Sequence, residues 1–232
     1  MALFKDGAIV KNLLYRSFTS GDVERLFSLY PITDSIVSSV ANMEPAVVNA
    51  LNRLSKNFVL FDHLTPLPIK NCYQTPETLG HDRIAAAVGA AYLSPGENLL
   101  IVDAGSAVTY DFVSAEHGYL GGNIAPGIKM RLTSLNQMTK RLPKIEIEPD
   151  ALTPLFGKNT KEAMAAGVVR GLVFEVKGYM RQLKEQKIAF KTYVTGGHAP
   201  YILNAMKKRE VLSEPHLVLI GLDRILDRAK HL

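Results

Sequence analysis

Asp103-Ala104-Gly105-Ser106-Ala107-Val108-Thr109-Tyr110-Asp111 joins two apolar stretches through a turn of small residues. Asn98 to Ala104 and Ala107 to Val113 read as strands, and Glu116-His117-Gly118 reads as the turn into a third. Glycine at 105 lets a backbone approach an anion, and the hydroxyls of Ser106 and Thr109 can donate hydrogen bonds to phosphate oxygens. Asp103, at the strand end, can hold a cation or a water bound to one. A hairpin in which Asp103 and Ser106 merely satisfy turn amides explains the same residues. Taken alone, the segment leaves both explanations open.

Working backwards, Pro95-Gly96 separates this region from the alanine-rich stretch Ala85 to Tyr92, which predicts a close-packed helix. The opening predicts a hairpin, with Asp6-Gly7 as its tight turn and a third short strand over Leu13 to Ser17. A helix capped by Thr19 or Ser20 follows, with Val23, Leu26, Phe27 and Tyr30 at helical spacing and Pro31 as its stop. Ser35 to Val40 is the next strand, Glu44 to Leu54 a helix and Phe58 to Phe61 a strand. Working forwards, helices are predicted over Ile128 to Leu142 and Thr160 to Lys184, and strands over Thr192 to Val194 and Leu217 to Ile220. Strands followed by helices therefore occur twice, in residues 1–96 and again in 97–232. This order predicts a duplicated α/β architecture with a ligand cleft between its halves.

Three further segments carry chemistry. Thr195-Gly196-Gly197 ends a strand, where its glycines can admit a nucleotide or simply make a turn. Gly121-Gly122-Asn123-Ile124-Ala125-Pro126-Gly127 opens a helix whose first amides can help bind phosphate. Tyr73-Gln74-Thr75-Pro76-Glu77-Thr78-Leu79-Gly80-His81-Asp82-Arg83 precedes the alanine-rich helix. There Arg83 offers a planar fork for a carboxylate and Asp82 can accept a hydroxyl proton. An Asp-Arg pair that only orders the helix start is the plainer account.

Bulk composition narrows the class. With 232 residues, 47% hydrophobic and 21% charged, the chain suits a folded globular protein. Cys72 is the single cysteine and can form no internal disulfide, so a reducing cytoplasm is the expected compartment. No run of 18 apolar residues is present, and Lys5 and Asp6 interrupt the opening, which argues against membrane insertion and secretion. The net charge of +5 suits an anionic partner, yet the densest run, Lys207-Lys208-Arg209, follows a helical stretch and is weak support for nucleic acid.

The order Tyr73, Pro76, Gly80-x-Asp82-Arg83, then Asp103-x-Gly105-Ser106-Ala107-x-Thr109-x-Asp111, then Gly121-Gly122 with Pro126-Gly127, then Thr195-Gly196-Gly197 resembles the type III pantothenate kinases. That family belongs to the actin, hexokinase and Hsp70-like ATPase superfamily. The resemblance implies two ribonuclease-H-like halves around a nucleotide cleft, and ATP-dependent phosphorylation of pantothenate, the first step of coenzyme A synthesis. It implies Asp82 as catalytic base, with Tyr73, Gly80, His81, Arg83 and Thr160 around pantothenate. Gly105, Ser106, Thr109, Gly122, Gly196 and Gly197 then contact ATP, which carries Mg2+. Asp103 is the implied ligand of a monovalent cation, K+ or NH4+, and a homodimer is implied as well. The family's chains begin with a strand and an Asp-x-Gly-Asn-Thr phosphate loop before a strand like Ala2-Leu3-Phe4, so the first half is expected to lack that strand. Two rival readings are a non-catalytic transcriptional accessory factor of the same family and a kinase for another hydroxylated small molecule.

Overall fold

The computed structural model describes residues 1–15, 17–38, 43–148, 153–206 and 210–231. It divides into two compact units, one of Met1–Leu93 with Leu217–Leu232 and the other of Ser94–His216. The basic run 207–209 lies outside the described residues, as do the last two residues of the strand expected over Ser35 to Val40.

In the first unit, β1 (Ala2–Lys5) and β2 (Ala8–Asn12) form an antiparallel hairpin. Asp6 and Gly7 both have positive φ, 52° and 76°, the conformation that a two-residue turn matching strand twist requires. The described residues of the stretch Leu13 to Ser17 add no third strand. Instead the Leu13 N–H donates to the Met1 carbonyl at 2.8 Å, closing the hairpin, and Leu14 is exposed. Helix α1 (Ser20–Leu29) starts with a reciprocal cap, in which the Thr19 N–H donates to Asp22 at 2.9 Å and the Asp22 N–H to the Thr19 hydroxyl at 3.3 Å. Strands β3 (Asp34–Val37) and β4 (Asn57–Leu60) pair in parallel, joined through α2 (Pro45–Leu54). Val23 of α1 meets Val47, Ala50 and Leu51 of α2 in a small core.

The rest of this unit is a helix pair, α3 (His81–Leu93) and α7 (Leu217–Lys230). Leu217 to Ile220 is the first turn of α7 rather than a strand. Four apolar residues suit either form, but Leu217, Gly221 and Ile225 continue at helical spacing and all three are buried. The last helix thus belongs with the first unit, whereas the sequence reading grouped 97–232 together. Gly89 and Gly221 let the two helices touch backbone to backbone. A Cβ on Gly221 would lie 2.6 Å from the Ala85 carbonyl carbon and closer still to its oxygen.

The second unit is built on a five-stranded sheet of order β7-β6-β5-β8-β9. Strands β5 (Leu99–Ala104), β6 (Ala107–Ser114) and β7 (Gly118–Pro126) run antiparallel in succession. Strands β8 (Lys191–Thr195) and β9 (Leu212–Ser213) continue the sheet in parallel. Because side chains alternate across a strand, Leu100, Val102 and Ala104 share one face with Val108, Tyr110 and Val194. That face packs into a core with α4 (Ile128–Gln137), α5 (Thr160–Glu185) and α6 (Ala199–Leu203). Helix α4 stops five residues before the expected Leu142, and the Asn136 side chain donates to the Leu142 carbonyl at 2.7 Å. Gly121 and Gly122 lie inside β7 rather than in a connection, with Gly121 opposite Phe112 at a register shift and at φ 138°. An edge-strand irregularity is where a glycine pair serves a strand.

Replacing Gly221 by alanine tests the helix crossing. Alanine gains about 1 kcal/mol of helix propensity over glycine, but overpacking against a backbone carbonyl costs about 1–3 kcal/mol or more. Clash should win, and thermal denaturation of Gly221→Ala should show a melting temperature several degrees below that of the parent.

Candidate active site

In the first unit the expected substrate residues gather at the start of α3. The chain reaches it through a single 3-10 turn, Pro76–Thr78, held by the Thr78 hydroxyl donating to the Thr75 carbonyl at 2.9 Å. Leu79 is buried next, and Gly80 begins the helix by accepting from the Arg83 N–H at 3.1 Å. A Cβ on Gly80 would stand 2.7 Å from Asp82 Oδ1, so the glycine leaves that carboxylate room. Asp82 is exposed, and its Oδ1 accepts from the Arg83 N–H at 2.9 Å. Arg83 is only 6% exposed and its guanidinium lies 5.7 Å from the centre of the Tyr73 ring. His81 packs against Phe61 with ring centres 4.9 Å apart. Tyr73, Gly80, His81, Asp82 and Arg83 therefore form one cluster, with a carboxylate open to solvent beside a buried cation.

In the second unit the turn between β5 and β6 is gripped from two sides. Asp103 pairs in register with Thr109 on β6 and Thr195 on β8, which puts the three side chains in one row across the sheet. Thr109 Oγ1 is shielded from solvent and has no hydrogen-bond partner among the described residues. From one side Gly196, at φ 89°, comes so close that a Cβ there would lie 2.7 Å from the Ala104 carbonyl carbon and nearer to Asp103 Oδ1. The His198 N–H donates to the Ala104 carbonyl at 2.8 Å, and His198 Nδ1 lies 2.9 Å from the Gly105 carbonyl oxygen. A carbonyl only accepts, so the proton of this imidazole sits on Nδ1. From the other side the Gly127 N–H donates to the Ser106 carbonyl at 3.1 Å, and a Cβ on Gly127 would lie 2.6 Å from the Gly105 oxygen. Ser106 itself is exposed at the tip.

Asp103, Gly105, Ser106, Thr109 and Gly196 are thus brought together, with Gly197 in the adjoining turn. Gly122 is not: it stands opposite Asp111, within β7, two residues along from the partner of Thr109. Thr160 is exposed at the start of α5, where the Asn159 side chain caps the helix by accepting from the Glu162 N–H at 3.0 Å. Sequence reasoning passed over His198, Arg131, Glu175 and Tyr110. His198 directly follows the Thr-Gly-Gly motif, and that adjacency is the signal available for it.

The other three form a network beside the turn. Arg131 Nη1 and Nη2 donate to the two oxygens of Glu175, each at 2.7 Å, and Arg131 Nε donates to the Pro126 carbonyl at 2.7 Å. The Tyr110 hydroxyl donates to Glu175 Oε2 at 2.7 Å, and its ring stacks on Tyr179 at 4.5 Å. Burial alone would raise the Glu175 pKa, but the hydrogen bonds from Arg131 and Tyr110 and the Arg131 charge outweigh it and hold the carboxyl below its ordinary 4.5. Burial and the Glu175 carboxylate push the Tyr110 phenol well above its usual range.

The fold that carries these residues is mixed α/β with a five-stranded sheet. The family model for type III pantothenate kinase matches residues 14–182. The chain is 38% identical over 226 residues to the type III pantothenate kinase of Phocaeicola vulgatus, covering 97% of this chain and 92% of the relative. Against that of Bacteroides fragilis ATCC 25285 the identity is 39% over 228 residues, covering 98% and 92%. A solved structure from Campylobacter jejuni, described as a conserved protein of the Baf family of transcriptional activators, matches with a TM-score of 0.60 and 25% identity, covering 90% of this chain and 89% of that one. The chain belongs to the type III pantothenate kinase family.

The depressed Glu175 pKa has a stability consequence. A carboxylate whose folded pKa lies below its unfolded value stabilises the fold fully above the unfolded value and loses that contribution as pH falls through the folded one. Glu175→Gln should therefore lower the melting temperature most at pH above 4.5, and the gap to the parent should close on acidification. Melting curves from pH 7 down to pH 3 check the sign. A gap that widens on acidification would contradict it.

Proposed function

We propose that this kinase transfers the γ-phosphoryl group of ATP to the primary hydroxyl of pantothenate, giving 4'-phosphopantothenate and ADP. The observation that carries the reading is the cluster at the start of α3, where exposed Asp82 stands beside buried Arg83 and half-buried Tyr73. Arg83 and Tyr73 hold the substrate, Arg83 by its fork on the pantothenate carboxylate. Asp82 takes the hydroxyl proton as that oxygen attacks the γ-phosphorus, and the bond to the β–γ bridging oxygen breaks with ADP as leaving group. Gly80 keeps space beside the carboxylate and His81 braces the helix start.

The turn of Asp103, Gly105, Ser106 and Thr109, with the corner at Gly196 and Gly197, takes the nucleotide phosphates. Its support is the backbone crowding at Gly127 and Gly196 and the orphaned Thr109 hydroxyl beside Asp103, a donor in want of an oxygen. Mg2+ bound with ATP, and a K+ or NH4+ ion beside Asp103, offset phosphate charge when present.

The proposed architecture is two ribonuclease-H-like halves. In support, the second unit has three antiparallel strands followed by two parallel ones, and in the first unit the hairpin and the parallel pair stand as separate two-stranded sheets. The proposed assembly is a homodimer through α5, where Phe174 is 55% exposed and Thr160 opens the helix. No helix among the described residues is long and apolar enough to cross a membrane, and a cytoplasmic enzyme is the compartment proposed. The greater identity to the two kinases than to the protein described as an activator favours catalysis over regulation.

Two substitutions separate the assigned roles. Asp82→Asn keeps the shape and a hydrogen bond but cannot take up the proton, so turnover should fall by roughly a hundredfold or more while pantothenate binding persists. Arg83→Ala loses a charge-assisted contact worth roughly 1.5–3 kcal/mol, so pantothenate binding should weaken about tenfold to a hundredfold. Steady-state kinetics with calorimetry reads both. Near-normal turnover in Asp82→Asn returns that carboxylate to ordering its helix. Light scattering at micromolar concentration should report two copies, and a monomer throughout would reject the proposed interface.

A further inference from the structure

We propose that Glu175, with Arg131 and Tyr110, is a positioning group that sets the shape of the nucleotide turn from the far side of its two flanking segments. The inference rests on the assignment of the 103–106 turn to ATP.

Glu175 holds β6 and, through Arg131, the end of β7 at once. Through Tyr110 it fixes β6 one residue beyond Thr109, the hydroxyl paired in register with Asp103. Through Arg131 it fixes the other flank, because the same guanidinium that takes both Glu175 oxygens also donates to the Pro126 carbonyl. Pro126 is the last residue of β7, and the next residue, Gly127, presses directly on Gly105 and Ser106. A shift of Pro126 is therefore a shift of the Ser106 carbonyl, since no side chain stands between the two backbones to absorb it. The guanidinium fork allows little freedom, because three of its donors are committed in one plane. Tyr110 is locked in turn by its stack on Tyr179, whose hydroxyl accepts from Asn123 of β7 at 3.1 Å.

A part-exposed ion pair is screened by solvent and by itself adds little to stability; the Glu175 side chain is 38% exposed and that of Arg131 18%. Direction is what this one supplies. Phosphoryl transfer depends on alignment, so a small displacement of the donors around the phosphates is expensive in rate. Neither Glu175 nor Arg131 reaches the turn itself, and they act through Tyr110, Pro126 and Gly127.

The test is steady-state kinetics of the full chain with Glu175→Gln, Arg131→Lys and Tyr110→Phe, alongside Ser106→Ala as a direct probe of the turn. Glu175→Gln should raise KM for ATP or lower kcat by roughly tenfold or more, leave KM for pantothenate unchanged, and keep a folded melting transition. Arg131→Lys and Glu175→Gln combined should cost little more than either alone, because both release the same corner. If Glu175→Gln does not fold, Tyr110→Phe, which removes one hydroxyl, carries the same expectation at smaller size. A lowered melting temperature with both kinetic constants intact would make the network merely structural and overturn the proposal. If Ser106→Ala shifts the ATP constants while the three network variants do not, the positioning role alone falls. If Ser106→Ala is also silent, the nucleotide assignment of the turn falls, and this proposal with it.

Discussion

The closeness of backbone to backbone at the 103–106 turn constrains the rest of the second unit. Gly127 and Gly196 approach it from opposite sides at distances that no side chain would permit, so the turn has little room to relax. Each corner is in turn the end of a strand, and each strand is anchored by packing elsewhere. Strand β8 stands next to β5 in the sheet, with Val194 fully buried, and β7 ends at the carbonyl that Arg131 holds. Crowding of this kind holds the backbone and the hydroxyls of the turn in a fixed array, which is what an anion-binding turn needs and what a loosely packed hairpin would lack.

In the proposed reading the chemistry is divided between the units. Residues that suit the hydroxylated acid, Tyr73, Arg83 and Asp82, belong to the first unit and rest on the α3 and α7 pair. Residues that suit phosphates belong to the second. The supports differ in kind as well. Helix α3 meets α7 by close backbone packing at Gly89 and Gly221, and Arg224 of α7 lies over the Tyr92 ring of α3. The 103–106 turn is flanked by an ionic network of Glu175, Arg131 and Tyr110.

How much of this is legible from residues alone depends on how local each cause is. The Asp103 to Asp111 hairpin is plain in the sequence, because two apolar strands flank a turn only two residues long. The Asp6-Gly7 turn and the Thr19 cap are equally local. Leu217 to Ile220 misleads because four apolar residues fit a strand as well as a buried helix turn, and only their packing on Gly89 decides. Gly121-Gly122 misleads likewise, since a glycine pair marks a loop or an irregular edge strand with equal ease. The Arg131 and Glu175 pair spans 44 residues of chain. A lone acid on a long helix carries no pattern that names its partner, so this part of the site becomes visible only in three dimensions. The proposed roles of Asp82 as base and of Arg83 in substrate binding rest on resemblance, and the geometry adds that the carboxylate is open to solvent and the guanidinium side chain buried.

The most direct measurement is product identification by mass spectrometry, with the purified chain incubated with ATP, Mg2+ and pantothenate in parallel with other hydroxylated carboxylic acids. The account predicts that pantothenate gains one phosphoryl group at its primary hydroxyl, with one ADP formed per product, and that the other acids are left unchanged. ADP release without a phosphorylated pantothenate, or preferential phosphorylation of another acid, would contradict it.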